Sequence, residues 1–133
     1  MSFVTAENDV QGWFNTKWNG LTPIAWPDVD FNHPNQTWVR FNMKNNLGFQ
    51  ASAGSPDSNM YRRTGVVTIQ VFQKENKGGT DARAKANAAA NYFLDNDLSG
   101  YEFYNVNARE IGNDGHGWYQ WNVTAEYRYD IIT

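Results

Sequence analysis

The chain has 133 residues, the size of one domain, and such a domain buries about two thirds of the surface that its unfolded chain exposes. Hydrophobic residues make up 41% and charged residues 19%, a composition that excludes a disordered chain. The net charge of -3 argues against a surface devoted to nucleic acid or to a membrane. The lack of cysteine excludes a disulfide framework, a thiolate metal site and a cysteine nucleophile.

The N-terminal segment predicts neither export nor a membrane anchor. It carries Glu7 and Asp9 where a secretory signal would be basic, and no apolar stretch follows. The longest apolar runs, such as residues 66–72, are far shorter than the roughly 20 residues that span a bilayer. We therefore expect assembly in the cytoplasm and no membrane partner.

Two helices are predicted from the spacing of apolar residues. The first spans residues 5–19, with Thr5 as its N-cap. The second spans residues 80–95, with Thr80 as its N-cap and Asp81 at the first helical position. Its apolar stripe consists mainly of alanine, which favours close packing on one face of a sheet. The members of this stripe are Ala82, Ala86, Ala89, Ala90, Phe93 and Leu94.

Alternating apolar and polar residues predict the strands. A short edge strand and two longer strands precede the second helix, and a hairpin closes the chain. The predicted strands cover residues 24–31, 37–44, 60–73, 101–110 and 117–131, with a hairpin turn at 113–115. The order is helix, three strands, helix, two strands. This order predicts one α+β domain, in which two helices pack on a mostly antiparallel sheet of about five strands.

The loop at residues 45–59 is unusually long for a plain connection and is rich in turn-forming and small polar residues. Leu47 and Phe49 are its only large apolar residues, so a partner could supply the contacts that order it. Arg62 and Arg63 follow the loop, and an arginine fork suits a carboxylate partner. Because neighbouring strand residues point to opposite faces, at most one arginine would face a given partner. The alternative is an untethered surface loop.

Motifs for catalysis or metal binding are incomplete. Residues 95–100 match the first half of a calcium loop, but Val106 replaces the glutamate that position twelve requires. Residues 77–80 lack the pattern of a phosphate loop and are better explained as the start of a helix. His33 and His116 are the only histidines, each without a second ligand at metal spacing. We therefore predict that the protein is not an enzyme and needs no metal or cofactor.

Trp38 and Trp118 lie on strand faces that otherwise look polar. Exposed tryptophan rings stack on sugars or bases, whereas buried ones pack under a helix or a neighbouring subunit. We favour packing for both residues. The stacking alternative leaves open a small aromatic-rich module that binds glycans.

Short segments along nearly the whole chain form an ordered set. In order they are residues 23–29, 38–41, 61–65 and 71–72, a Gly-Gly turn, an alanine-rich helix ending in Phe93–Leu94, and residues 117–120 and 127–129. In pattern and order this set resembles the tail-terminator family of long-tailed bacteriophages. The chain departs from the family at residues 73–75, where many relatives carry a turn with proline.

The resemblance implies a structural protein of the virion, assembled in the host cytoplasm. Family members form a ring, typically of six subunits, on the head-proximal end of the tail tube, where they stop tube polymerisation and provide the surface for head-tail joining. The implied partners are further copies of the chain, the tail tube protein, the head-tail connector protein, and genomic DNA that passes through the lumen without specific binding. Leu47, Phe49, Arg62 and Arg63 then become candidate contacts between subunits or rings. Another neck, tail-completion or connector adaptor protein is the alternative within this class.

Overall fold

The computed structural model describes residues 3–32, 34–45, 49–50 and 60–132. Within them, two helices pack on one face of a twisted sheet. In chain order the elements are α1 (Phe3–Trp18), β1 (Ile24–Ala25), β2 (Trp38–Asn45), β3 (Phe49–Gln50), β4 (Met60–Lys74), α2 (Thr80–Asp95), β5 (Glu102–Asn113) and β6 (Trp118–Ile132).

The strands follow the order β1-β2-β4-β6-β5, and β3 pairs with β4 beside this path. The predicted α+β class with two helices is confirmed. Most of the described strand pairs are antiparallel, as predicted, but the sheet is mixed. The edge strand predicted over residues 24–31 is limited to Ile24–Ala25, because the chain turns soon after it. β1 runs parallel to β2, whereas the other described pairs are antiparallel. The segment between β1 and β2 carries the chain back to the end of the sheet at which β1 begins, so both strands run in the same direction. The short strand β3, inside the predicted 45–59 loop, was not expected.

The bounds of α1 differ from the prediction at the N-terminus. The helix begins at Phe3, so Thr5 lies inside it and is not its N-cap. The reason is that the buried stripe begins at Ala6 and continues through Val10 and Phe14, which extends the helix further back. None of the helices in the described ranges is long and apolar enough to cross a membrane.

The start of α2 is built differently from the prediction, although its bounds match. Gly79, not Thr80, is the N-cap, with a φ of 73° and no side-chain cap of its own. A Cβ at this position would lie 2.7 Å from the ring of Tyr119, so glycine is required. The cap comes from β4, because the N–H of Ala82 donates to Oε1 of Gln73 at 2.8 Å.

Replacing Gln73 by alanine is expected to lower the free energy of unfolding by about 1–3 kcal/mol, because the buried N–H of Ala82 loses its acceptor. Urea unfolding followed by tryptophan fluorescence measures the loss. Gln70→Ala, three residues earlier on the opposite face of β4, is the control and should change stability by less than about 0.5 kcal/mol. Equal losses in the two variants would contradict a capping role for Gln73.

The core lies between the helices and the sheet. The alanines and Phe93 of the α2 stripe are buried as predicted, which brings the helix close to β4, β5 and β6. Leu94, the last member of the predicted stripe, is instead 64% exposed, because it lies at the end of the helix. Aromatic rings fill the space beside it: Phe14 stacks near Phe93 at 6.2 Å, and Trp13 stacks on Phe103 at 5.1 Å. Because both helices lie on this face, the other face of the sheet carries no helix among the described residues.

Candidate functional site

The face of the sheet away from the helices, here called the open face, is mainly polar. Alternation along β2, β4 and β6 places every second side chain on it, and β5 follows the same pattern on either side of two register shifts. Its polar members include Arg40, Asn42, Lys44, Arg62, Thr64, Thr68, Gln70, Asn107, Arg109, Asn122, Thr124, Glu126, Arg128 and Asp130. A polar face that spans four strands and stays accessible is a surface on which a partner can bind.

Opposite charges pair across the open face. Arg62 holds Asp130 with two hydrogen bonds, Nε to Oδ1 at 2.9 Å and Nη2 to Oδ2 at 3.2 Å. These bonds lower the pKa of the Asp130 carboxyl group. Arg128 of β6 donates a hydrogen bond from Nη2 to Glu102 of the neighbouring strand β5, at 2.7 Å. Both signs of charge are therefore interspersed, unlike the one-sided basic stripe that is typical of nucleic-acid binding.

The two predicted arginines lie on opposite faces. Arg62 belongs to the open face, where its fork already binds Asp130 of the same chain. Arg63 is half-buried and lies directly opposite Tyr129, a member of the core on the helix side. The observed carboxylate partner of Arg62 is intramolecular, so it does not test the predicted contact with another subunit or ring.

The loop residues are placed only in part. Phe49 pairs with Arg62 across β3 and β4, so the structure brings these two candidate residues together. Leu47 lies outside the described residues, as does most of the 45–59 segment. The contacts predicted for Leu47, Phe49, Arg62 and Arg63 stay predictions.

An aromatic patch occupies one end of the open face and consists of Trp38, Phe72 and Trp118. Trp38 stacks on Phe72 with ring centroids 4.3 Å apart and meets the edge of Trp118 at 5.8 Å. Only 1% of Trp38 and 9% of Trp118 is exposed, partly because Arg40 and Lys74 lie over the rings. The expected packing is observed, but the rings pack on one another and not under a helix. Their burial removes the observation that favoured a glycan-binding module.

In the calcium-like segment at residues 95–100, the carboxylate of Asp97 binds other side chains of the protein. Asp97 accepts a hydrogen bond from Nε1 of Trp13 at 2.8 Å and forms an ion pair with Lys17. The ammonium group of Lys17 and the indole N–H hold the pKa of Asp97 below its ordinary value. Asp97 therefore ties α1 to the end of α2. Among the described residues, no three metal-binding side chains cluster.

The other candidate motifs also have structural partners. At the N-terminus of α2, after the Gly-Gly turn, the backbone N–H of Ala82 is already bound by Gln73. His116 is exposed in the turn between β5 and β6, where its backbone N–H donates to Asp114 at 2.7 Å. His33 lies outside the described residues.

The two edges of the sheet differ in shape and charge. At one edge, a groove of about 410 Å³ between α2 and β5 is lined mainly by Arg83, Ala108 and Trp121. At the other edge, the exposed turn after β1 carries Asp28 and Asp30. The sequence alone predicts solvated turn residues here, since nothing local indicates that these aspartates lie at an edge of the sheet.

Comparison with known proteins identifies the family. A family model described as "Phage tail terminator protein" matches residues 9–127. A solved structure with 14% sequence identity aligns over 96% of this chain and 95% of its own, with a TM-score of 0.64, which shows a shared fold. No curated protein matches the chain. Since the family model covers α2 and nearly all of the sheet, the chain belongs to the phage tail terminator family, and it has a structural role as a component of the virion tail.

Proposed function

We propose that the protein terminates the phage tail by forming a ring on the head-proximal end of the tail tube. There it stops tube polymerisation and provides the surface for head-tail joining. The expected ring has six subunits. The observation that carries this proposal is the family match over residues 9–127. The partners are further copies of the chain, the tail tube protein and the head-tail connector protein.

The two different edges of the sheet suit such a ring. A closed cyclic assembly of more than two copies uses a head-to-tail interface, in which one surface of a subunit meets a different surface of the next. The α2–β5 edge and the β1 edge lie at opposite ends of the strand order. This arrangement leaves most of the open face available for contacts with other components.

We assign Leu47 and Phe49, together with Arg62 and Arg63, to contacts with a neighbouring subunit or the adjoining ring. The pairing of Phe49 with Arg62 supports this assignment, because it ties the segment to an arginine of the open face. Charge of both signs on that face suits protein contacts and gives DNA in the lumen no continuous basic track.

Deletion of the gene from its phage tests the proposal. We expect overlong tails that are detached from filled heads, and rescue by the wild-type chain supplied from a plasmid. Electron microscopy of lysates measures tail length and the fraction of joined particles. Tails of normal length that fail to join heads would instead indicate a connector adaptor, and normal joined tails would contradict any role in the neck.

A further inference from the structure

The turn at residues 27–30, here called the acidic tip, follows β1 at one edge of the sheet and lines a pocket with Arg40, Asn42 and Gln70. All four of its residues are exposed, and 60% of the apolar side chain of Val29 is accessible. Asp28 and Asp30 flank Val29, and Asp28 adopts a φ of 54° that fixes the turn. Neither aspartate forms an ion pair with a described residue, although Arg40 lines the same pocket and lies over the ring of Trp38. The tip thus presents one exposed apolar side chain between two carboxylates.

The groove between α2 and β5 has the complementary character. Ala84, Ala108 and Trp121 form its apolar lining, and Arg83 lies at its side. Arg109 follows Ala108 on β5 and points to the opposite face of this edge strand. The two arginines therefore flank the free edge from both sides.

The charges of these arginines are available to a partner. Within the described part of the chain, neither Arg83 nor Arg109 forms an ion pair. Glu110, which follows Arg109, accepts a hydrogen bond from the hydroxyl group of Tyr119, and Glu102 at the other end of β5 binds Arg128. The groove is thus apolar in the middle and has one arginine on each flank.

These two surfaces match as the two halves of a head-to-tail interface. We propose that the acidic tip of one copy docks into the α2–β5 groove of the next, so that Val29 packs on Trp121 while Asp28 and Asp30 pair with Arg83 and Arg109. The proposal rests on the ring of the proposed function and names its subunit contact. The occupant is a second copy of this chain because the groove and its complement lie on opposite edges of one sheet, as a cyclic interface requires.

Charge reversal tests the interface in the full chain. One variant combines Asp28→Lys with Asp30→Lys, and the other combines Arg83→Glu with Arg109→Glu. Each places like charges opposite one another, which opposes association, so each should lower the ring population at least about tenfold. Native mass spectrometry and negative-stain microscopy measure the rings. In an equimolar mixture of the two variants, every contact of an alternating ring pairs opposite charges, because Lys tips meet Glu grooves and Asp tips meet Arg grooves. The mixture should therefore form rings again, and so should a chain that carries all four substitutions.

The controls separate this interface from folding and from the proposed function. Leu94→Ser and Asp95→Lys change exposed residues at the far end of α2 and should leave the rings intact. The Arg83→Glu, Arg109→Glu and control variants should keep the melting temperature of the wild-type monomer, because exposed positions contribute little to stability. Asp28→Lys should lower it slightly, because lysine is less favoured than aspartate at the left-handed φ of 54°. Rings that survive either reversal, or that the four-substitution chain does not recover, overturn the interface alone. A wild-type chain that forms no ring, by itself or on tube ends, overturns the proposed function and this interface with it.

Discussion

Replacing Gly65 by alanine is expected to lower the free energy of unfolding by about 3 kcal/mol or more. Gly65 lies inside β4, between Asn45 on one side and Tyr127 on the other. A Cβ at this position would lie 2.2 Å from the carbonyl oxygen of Lys44 and 2.3 Å from the hydroxyl oxygen of Tyr127. Neither atom can move away at a small cost in free energy, because one belongs to the backbone and the other to a fully buried ring.

Gly12→Ala is the matched control for this prediction. Gly12 is an exposed residue inside α1, and a Cβ at this position would meet no atom outside its own helix within 4 Å. Alanine there should raise stability by up to about 1 kcal/mol, because glycine is the weaker helix former. Urea unfolding of the two variants measures the difference. A loss below about 0.5 kcal/mol for Gly65→Ala would show that the close approach of Tyr127 is not required by the fold.

The elements that the sequence predicts well are those with strong local patterns. The alanine stripe and the flanking residues give α2 as residues 80–95, and the observed helix has the same bounds. Alternation over many residues predicts the long strands, which the structure extends by one residue at Lys74 and by three at Asn113. Local patterns suffice here because burial of one face repeats with the period of the element.

The elements that were missed depend on contacts between distant parts of the chain. Threonine is a common N-cap residue, which is why Thr80 was predicted as the cap of α2, but the side chain that caps this helix is Gln73 of β4. The partner of Arg62 is Asp130, 68 residues later, and only the register of β4 with β6 places them opposite each other. A sequence can indicate that an arginine fork suits a carboxylate, but not which carboxylate the fold supplies.

The positions of the two sheet edges, and with them the proposed interface, also could not be predicted from the sequence. Strand order decides which strand is left unpaired, and the sequence does not reveal that β5 follows β6 at one end while β1 ends the other. Asp28 and Asp30 therefore resemble ordinary turn residues until the topology places them at the edge opposite the groove beside Arg83. The proposed interface is a property of the fold and not of any motif.

Replacing Trp38 by alanine is expected to lower the free energy of unfolding by about 3–5 kcal/mol, although the residue lies on the face without helices. Only 1% of the residue is exposed, and its ring stacks on Phe72 at 4.3 Å. Removing it would leave a cavity beside Phe72 and Trp118 and would expose both rings to water. The aromatic patch therefore acts as a second, smaller core that fixes β2 against β4 and β6.

Tyr104→Ala provides the comparison, because Tyr104 is an aromatic residue of β5 that is only half-buried, with Arg128 over its ring. Its loss should cost less than about 1.5 kcal/mol, since less apolar surface returns to water. Trp38→Phe keeps most of the stacking on Phe72 and should recover at least half of the stability that alanine removes. If Trp38→Ala is instead as stable as the wild type, the ring is not part of a core. It would then be free to serve a ligand, and the aromatic patch would have to be reassigned as a binding surface.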